Sequence, residues 1–265
     1  MSSRAPCSVL NEKVPLAGTA PTSDSWLIVM HQGPWGERPL DTLVSRDLTI
    51  WANEHDAKIL LARTPKGVDP YPLSTFLCSS RSSGLVVGTL NSQGIPNLAT
   101  TRPSSPMLLI CTNGKRDACC ATFGRNLITE SKKLLSPSLF GQILECSHIG
   151  GHRFAPTAIW LPENLVLGRL EPHAVTGLME HGGIGSQFIR GNTNLTPAQQ
   201  VVHASVWPQT IVFESDERLG TVHYITTFIN GATKVFTVAA TIVEVVESCG
   251  GASKSNTQYQ LQGPV

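Results

Sequence analysis

The sequence predicts an α/β protein, and three observations carry that reading. Short apolar runs of strand length recur at 26–30 (WLIVM), 58–62 (KILLA), 85–89 (LVVGT) and 107–110 (MLLI). Segments with helical spacing alternate with them, and Gly/Pro-rich loops mark the changeovers. Continuous apolar runs suit strands covered on both faces, and their alternation with helices favours at least partly parallel pairing.

In chain order, the run at 26–30 reads as a buried strand. The loop HQGPWG follows, then a helix over 40–55 with Leu43, Val44, Leu48 and Trp51 near helical spacing. Residues 58–62 form a second strand, ended by Thr64-Pro65; the Pro/Ser-rich stretch 65–83 reads as a long loop, and 85–89 as a third strand. The layout then repeats. Strand 107–111 leads through a polar loop to a helix near 118–135 and a strand at 142–145. Residues 158–161 and 165–167 make a hairpin across Pro162-Glu163-Asn164, and a helix at 172–181 stops at Gly182-Gly183. Strand, helix, strand, loop, hairpin, helix is the order of a thioredoxin-like unit.

After Gly185 the character changes. A helix over 196–204 starts at Thr196-Pro197, where proline suits the first turn. Segments 221–229 and 233–244 flank Asn230-Gly231, a pair that favours the type I′ turn of a β-hairpin. From Gly250 the chain is polar and rich in Gly, Ser and Gln, the composition of a flexible tail. The expected organisation is therefore an N-terminal α/β region of related layout (1–100), a thioredoxin-like domain (101–185), and a C-terminal helix, β-hairpin and tail (186–265).

Composition narrows the function. With 265 residues, a net charge of +1 and 15% charged residues, the chain gives no reason to expect nucleic acid or an anionic membrane as partner. No run approaches 18 apolar residues, so no membrane span is expected. The first residues lack the apolar core of a secretory signal, and seven mostly scattered cysteines cannot all pair. Both point to a cytoplasmic protein whose thiols are metal ligands or core residues.

The chemistry concentrates in 106–156. Cys111 stands at the end of one apolar strand, and a polar turn leads to Cys119-Cys120 at a helix start. A second strand ends near Cys146 and His148, and Gly150-Gly151 separates His148 from His152. Two strand ends thus bring sulfur and imidazole donors within reach of one another, which is a metal-site constellation. A single histidine of this kind is more often structural; the convergence is what signals a metal. Cys111 and Cys120 are spaced C-x8-C, and His148 and His152 H-x3-H. The same donors could form a Cys2His2 zinc site. A thiol oxidoreductase on a thioredoxin scaffold is a third reading, weakened because no C-x-x-C is present and vicinal Cys119-Cys120 is a poor substitute.

Several features carry only a plain reading. Cys7, Cys78 and Cys249 have no partners at ligand spacing and read as simple thiols, and His31 in HQGPWG reads as structural. Glu145 and Asp117, set among sulfur and imidazole donors, do not make a glycosidase pair. Lys115, Arg116, Arg125 and Arg153 lie near the donors in sequence and suit a basic surface steering an acidic redox partner.

CTNGKRDACCATFGRNL followed by ECSHIGGHRFAPTAIWLP resembles the sucrase/ferredoxin-like family, a branch of the thioredoxin-like ferredoxins. GTAPTSDSWLIVMHQGPWG at 18–36 and IRGNTNLTPAQQ at 189–200 are similar to that family's N- and C-terminal signatures, so the resemblance covers residues 5–205. Where four-cysteine ferredoxins of this type end in C-x3-C, this chain has H-x3-H. The resemblance implies a [2Fe-2S] cluster, held by Cys111 and Cys120 on one iron and by His148 and His152 on the other. Cys119 is the alternative to Cys120, and Cys146 lies close enough to compete. It implies an iron-sulfur electron carrier rather than an enzyme, working between donor and acceptor proteins that the sequence does not name. With both irons ferric such a cluster is neutral, whereas four-thiolate ligation leaves two negative charges. Its potential should therefore lie above that of plant-type ferredoxins. Imidazole ligands can carry a proton on the outer nitrogen, so proton-coupled electron transfer is expected.

Overall fold

A computed structural model describes residues 5–80 and 84–264. Helix α1 (Cys7–Leu10) opens the chain. Strand β1 (Ser25–Met30), helices α2 (Pro39–Leu43) and α3 (Arg46–Glu54), and strand β2 (Ala57–Arg63) form a β-α-β unit with parallel strands. The single helix expected over 40–55 breaks at Ser45, whose hydroxyl accepts the Leu48 N–H at 3.1 Å and caps α3. Strand β3 (Thr75–Ser80) lies within the stretch expected to be a long loop, and its apolar Phe76-Leu77-Cys78 places it between β1 and β4 (Gly84–Leu90). Residues 81–83 of that stretch lie outside the described residues. Strand β5 (Pro96–Pro103) adds an edge whose mostly exposed, polar side chains hid it from pattern reading.

The second half runs β6 (Met107–Cys111), a π-helical turn at Cys120–Gly124, α4 (Arg125–Leu134), short α5 (Pro137–Phe140) and β7 (Ile143–Cys146), with β6 and β7 parallel. β8 (Ala158–Leu161) and β9 (Leu165–Leu167) form the expected hairpin, and α6 (Pro172–His181) ends at left-handed Gly182 (φ 67°), as the sequence predicts. β10 (Ile189–Asn192) completes a mixed ten-stranded sheet of order β10-β9-β8-β6-β7-β2-β1-β3-β4-β5. The halves meet where β7 pairs antiparallel with β2, and from that seam each half reads outward alike: one parallel pair, then antiparallel strands.

Alternation of side chains along the strands builds two layers of core. One face gathers Ile28, Met30, Leu60, Ala62, Leu109, Cys111, Leu144 and Cys146. On the other, Leu108, Ile110 and Ile143 pack with α4 and α6, and Leu27, Val29 and Leu61 pack with α3. β1 and β6 are buried along almost their whole length, the physical origin of their unbroken apolar runs.

Helix α7 (Pro197–Val206) begins with a reciprocal capping box between Thr196 and Gln199. Its Ala198, Val201 and Val202 pack on a second, antiparallel sheet of β11 (Ile211–Leu219), β12 (Val222–Ile229), β13 (Ala232–Val246) and β14 (Ser253–Pro264). Asn230 and Gly231 both have positive φ, 52° and 83°, as the expected hairpin turn requires. The expected flexible tail is a correction: from Ser253 it is β14, in register with β13 from Val246↔Ser253 onward. Only Tyr259 and Leu261 from this strand join the apolar cluster, too few for a recognisable alternation. The α/β class holds, in a molecule richer in strand than in helix. No helix among the described residues is long and apolar enough to cross a membrane.

Candidate metal centre

The ends of β6 and β7 fix the site. Cys111 and Cys146 are register partners; the Cys111 N–H donates to Thr157 O at 2.9 Å, and the Thr112 N–H to Cys146 O at 3.1 Å. Beside them Glu145 accepts from Arg63 and from the Thr112 hydroxyl, each at 2.7 Å, so this carboxylate ties β7 to β2 and to the loop after β6. Cys120 opens the π-helical turn, which seats on the strand end because of Gly124: a Cβ there would collide with the Cys111 carbonyl oxygen.

Ligand atoms of Cys111, Cys120 and His148 lie within 4.8 Å of one another. Both sulfurs are buried and His148 is half-buried, so the group stands just under the surface. A hydrogen bond with Cys120, opposed by burial and aided by His148, holds the Cys111 thiol well below its usual pKa. The same contact with Cys111, followed by burial, pushes Cys120 up, and burial pushes Cys146 up. One thiolate-prone sulfur, a second sulfur and an imidazole make a set of soft donors fitted to a transition metal.

His152 lies alongside, its ring centroid 5.1 Å from that of His148, but outside the group of three. Its Nε2 is 3.0 Å from Ser248 Oγ and 3.7 Å from Asp117 Oδ2. Burial lowers its pKa against the pull of Asp117, favouring neutral imidazole. The Nδ1 atoms of His148 and His152 are both buried with no hydrogen-bond partner among the described residues.

The loop between the histidines turns through left-handed glycines, Gly150 (φ 100°) and Gly151 (φ 71°), as their sequence suggests. What sequence reading missed is the clamp on this loop. Buried Arg190 donates to Gly150 O at 2.8 Å, to the Thr19 hydroxyl at 3.1 Å and to Thr19 O. Its guanidinium fills the space a Cβ on Gly151 would need. Burial pushes its pKa down to about 9, which leaves it charged at neutral pH. The only signal was its place in the IRGN segment.

Two plain readings need correction. Cys7 and Cys249, read as simple thiols, meet Cys119, with sulfur–sulfur distances of 3.5 Å and 3.2 Å; the closing contact spans 242 residues of sequence, beyond any spacing rule. Of the vicinal pair, Cys120 lies in the group with Cys111 and His148, and Cys119, its expected alternative, in the second cluster. Arg153 is buried, stacked on Phe154 at 4.6 Å and 3.5 Å from Glu247, so the exposed basic surface consists of Lys115, Arg116 and Arg125 without it. Cys146 is buried next to the site but outside the group of three, and Cys78 and His31 are half-buried and belong to neither donor group.

Fold and site together define an α/β protein with a buried sulfur–imidazole centre at the strand ends of its main sheet. The Sucrase/ferredoxin-like family matches residues 16–193, more than half of the chain, and the chain belongs to that family. It is similar to the "Altered inheritance of mitochondria protein 32" of Debaryomyces hansenii, 30% identical over 90 residues, 32% of this chain and 33% of that protein. It is likewise similar to the protein of that name from Saccharomyces kudriavzevii, 31% identical over 103 residues, 33% of this chain and 32% of the other. The chain thus spans about a third of the length of the curated relatives it matches. No solved structure matches.

Proposed function

We propose that this protein is an electron carrier with a [2Fe-2S] cluster on a thioredoxin-like unit, ligated by Cys111, Cys120, His148 and His152. The observation that carries the reading is the convergence of the first three ligand atoms within 4.8 Å, with the His152 ring alongside and both Nδ1 atoms unpartnered. Two sulfurs and two imidazoles fit such a cluster chemically. When bound, the cluster supplies a one-electron couple. The chain's residues do the rest: β6 and the π-helical turn aim the sulfurs, Arg190 holds the histidine loop, and exposed Lys115, Arg116 and Arg125 favour an acidic partner protein. Imidazole ligands would let electron uptake couple to proton uptake. The potential then falls as pH rises, by about 59 mV per unit for each proton taken up per electron. Seven cysteines, none of them in a disulfide among the described residues, suit a reducing compartment, the cytosol in the first instance.

Protein purified without oxygen should be red-brown, with two irons and two acid-labile sulfides per chain and an EPR signal on reduction. A single zinc bound by Cys111 and Cys120, with no labile sulfide, would replace this reading by a zinc site.

A further inference from the structure

The second cysteine cluster shares no donor with the group of Cys111, Cys120 and His148, though its Asp117 stands 3.7 Å from His152. Cys7 comes from α1, Asp117 from the loop after β6, Cys119 from the helical residues that enter the π-helical turn, and Cys249 from the turn between β13 and β14. Their four ligand atoms lie within 4.8 Å of one another, with Cys7, Asp117 and Cys119 buried. The three sulfurs form a near-equilateral triangle with sides of 3.5, 3.2 and 3.6 Å. Asp117 caps it, Oδ1 standing 3.3 Å from Cys249 Sγ and 3.8 Å from Cys7 Sγ. Around a tetrahedral zinc with bonds of about 2.3 Å to sulfur and about 2.0 Å to oxygen, the edges are about 3.8 Å and about 3.5 Å. To fit, the sulfur edges open by about 0.2 to about 0.6 Å and the Asp117 oxygen shifts by about 0.3 Å.

The surroundings are those of metal ligands. The Cys7 N–H donates to Cys249 Sγ at 3.4 Å, and Ser8 Oγ lies 3.4 Å from Cys119 Sγ. Asp117 accepts the N–H groups of Cys119 and Cys249 at 2.9 Å each, which fixes its carboxylate and leaves lone pairs for a cation. Three sulfurs at nearly equal distances do not single out a disulfide pair, and any pair would strand the third thiol. We propose that Cys7, Asp117, Cys119 and Cys249 form a closed structural zinc site that pins α1 and the β13–β14 turn to the segment leading into Cys120. Zinc displaces the three thiol protons and no electron moves. The site would commit Cys119 to zinc and leave its neighbour Cys120 free for the first centre.

The test measures zinc and iron together on the full chain, purified without oxygen and without added metal. The expected result is one tightly held zinc per chain that survives Cys120→Ser, which removes the iron, and falls by more than about tenfold in Cys249→Ser, which keeps the iron spectrum. If Cys249→Ser does not fold, the Cys120→Ser protein with cobalt exchanged for zinc should show the visible d–d bands of tetrahedral thiolate cobalt. Wild-type protein without zinc, zinc retained in Cys249→Ser, cobalt without those bands, or a Cys119–Cys249 disulfide found by alkylation without reduction would overturn the proposal. Iron present without zinc would overturn this site alone, and zinc lost in Cys249→Ser from a protein that holds no iron would overturn the iron reading alone, so the two fail separately.

Discussion

The two halves of the main sheet share one layout and differ in what stands at the strand ends. Outward from the β2–β7 seam, each half has a parallel β-α-β pair followed by antiparallel strands. A single row of register partners crosses the seam as Met30, Ala62, Cys146 and Cys111. In the first half the row is apolar, and the loop after β1 tucks Trp35 into the core beneath Arg63, whose guanidinium lies 4.4 Å from the ring. In the second half the row ends in sulfur, and the loop after β6 is threaded with buried Thr112, Asn113 and Asp117. The same backbone plan carries an aromatic plug on one side and a donor cluster on the other. The chemistry therefore belongs to the strand-end residues and not to the layout.

That contrast can be broken most decisively by removing a sulfur. Cys120→Ser should abolish bound iron, whereas His31→Ala, at the matching end of β1, should leave iron unchanged; metal analysis on both variants decides. Next in size is the plug. Trp35→Ala should cost about 3–5 kcal/mol in denaturant unfolding, because a large buried ring is lost, yet leave the metal in the native fraction. Loss of iron from that folded fraction would mean that the halves are not chemically separate.

Gly124→Ala should cost about 1–3 kcal/mol and loosen iron, because the new methyl meets backbone at Cys111. Gly33→Ala in the first half should cost less, since its methyl meets only the His31 ring, which can turn. Equal losses in the two would remove the special status given to Gly124. The smallest effect should come from the surface. Glu37→Gln, which breaks a 3.4 Å pair with Arg116 between partly exposed side chains, should change stability by less than about 1 kcal/mol. It should slightly speed electron exchange with an anionic mediator at low salt, by freeing positive charge.

Sequence by itself determined the elements whose pattern is local. The buried runs of β1 and β6, the β8–β9 hairpin, α6 with its glycine stop and the Asn230-Gly231 turn follow from burial, spacing and turn chemistry over a few residues. It also placed Cys111 and Cys120 near each other, because a strand, a tight loop and a helix start leave them few alternatives. Tertiary structure alone decided the rest. β5 and β14 are polar strands that exist because a neighbour offers a ladder, not because their own pattern demands one. The pairing of the two halves into one sheet, the clamp of Arg190 on Gly150, and the meeting of Cys7 with Cys249 all join distant segments. Such contacts arise only once the chain has packed, and spacing along the sequence carries no record of them.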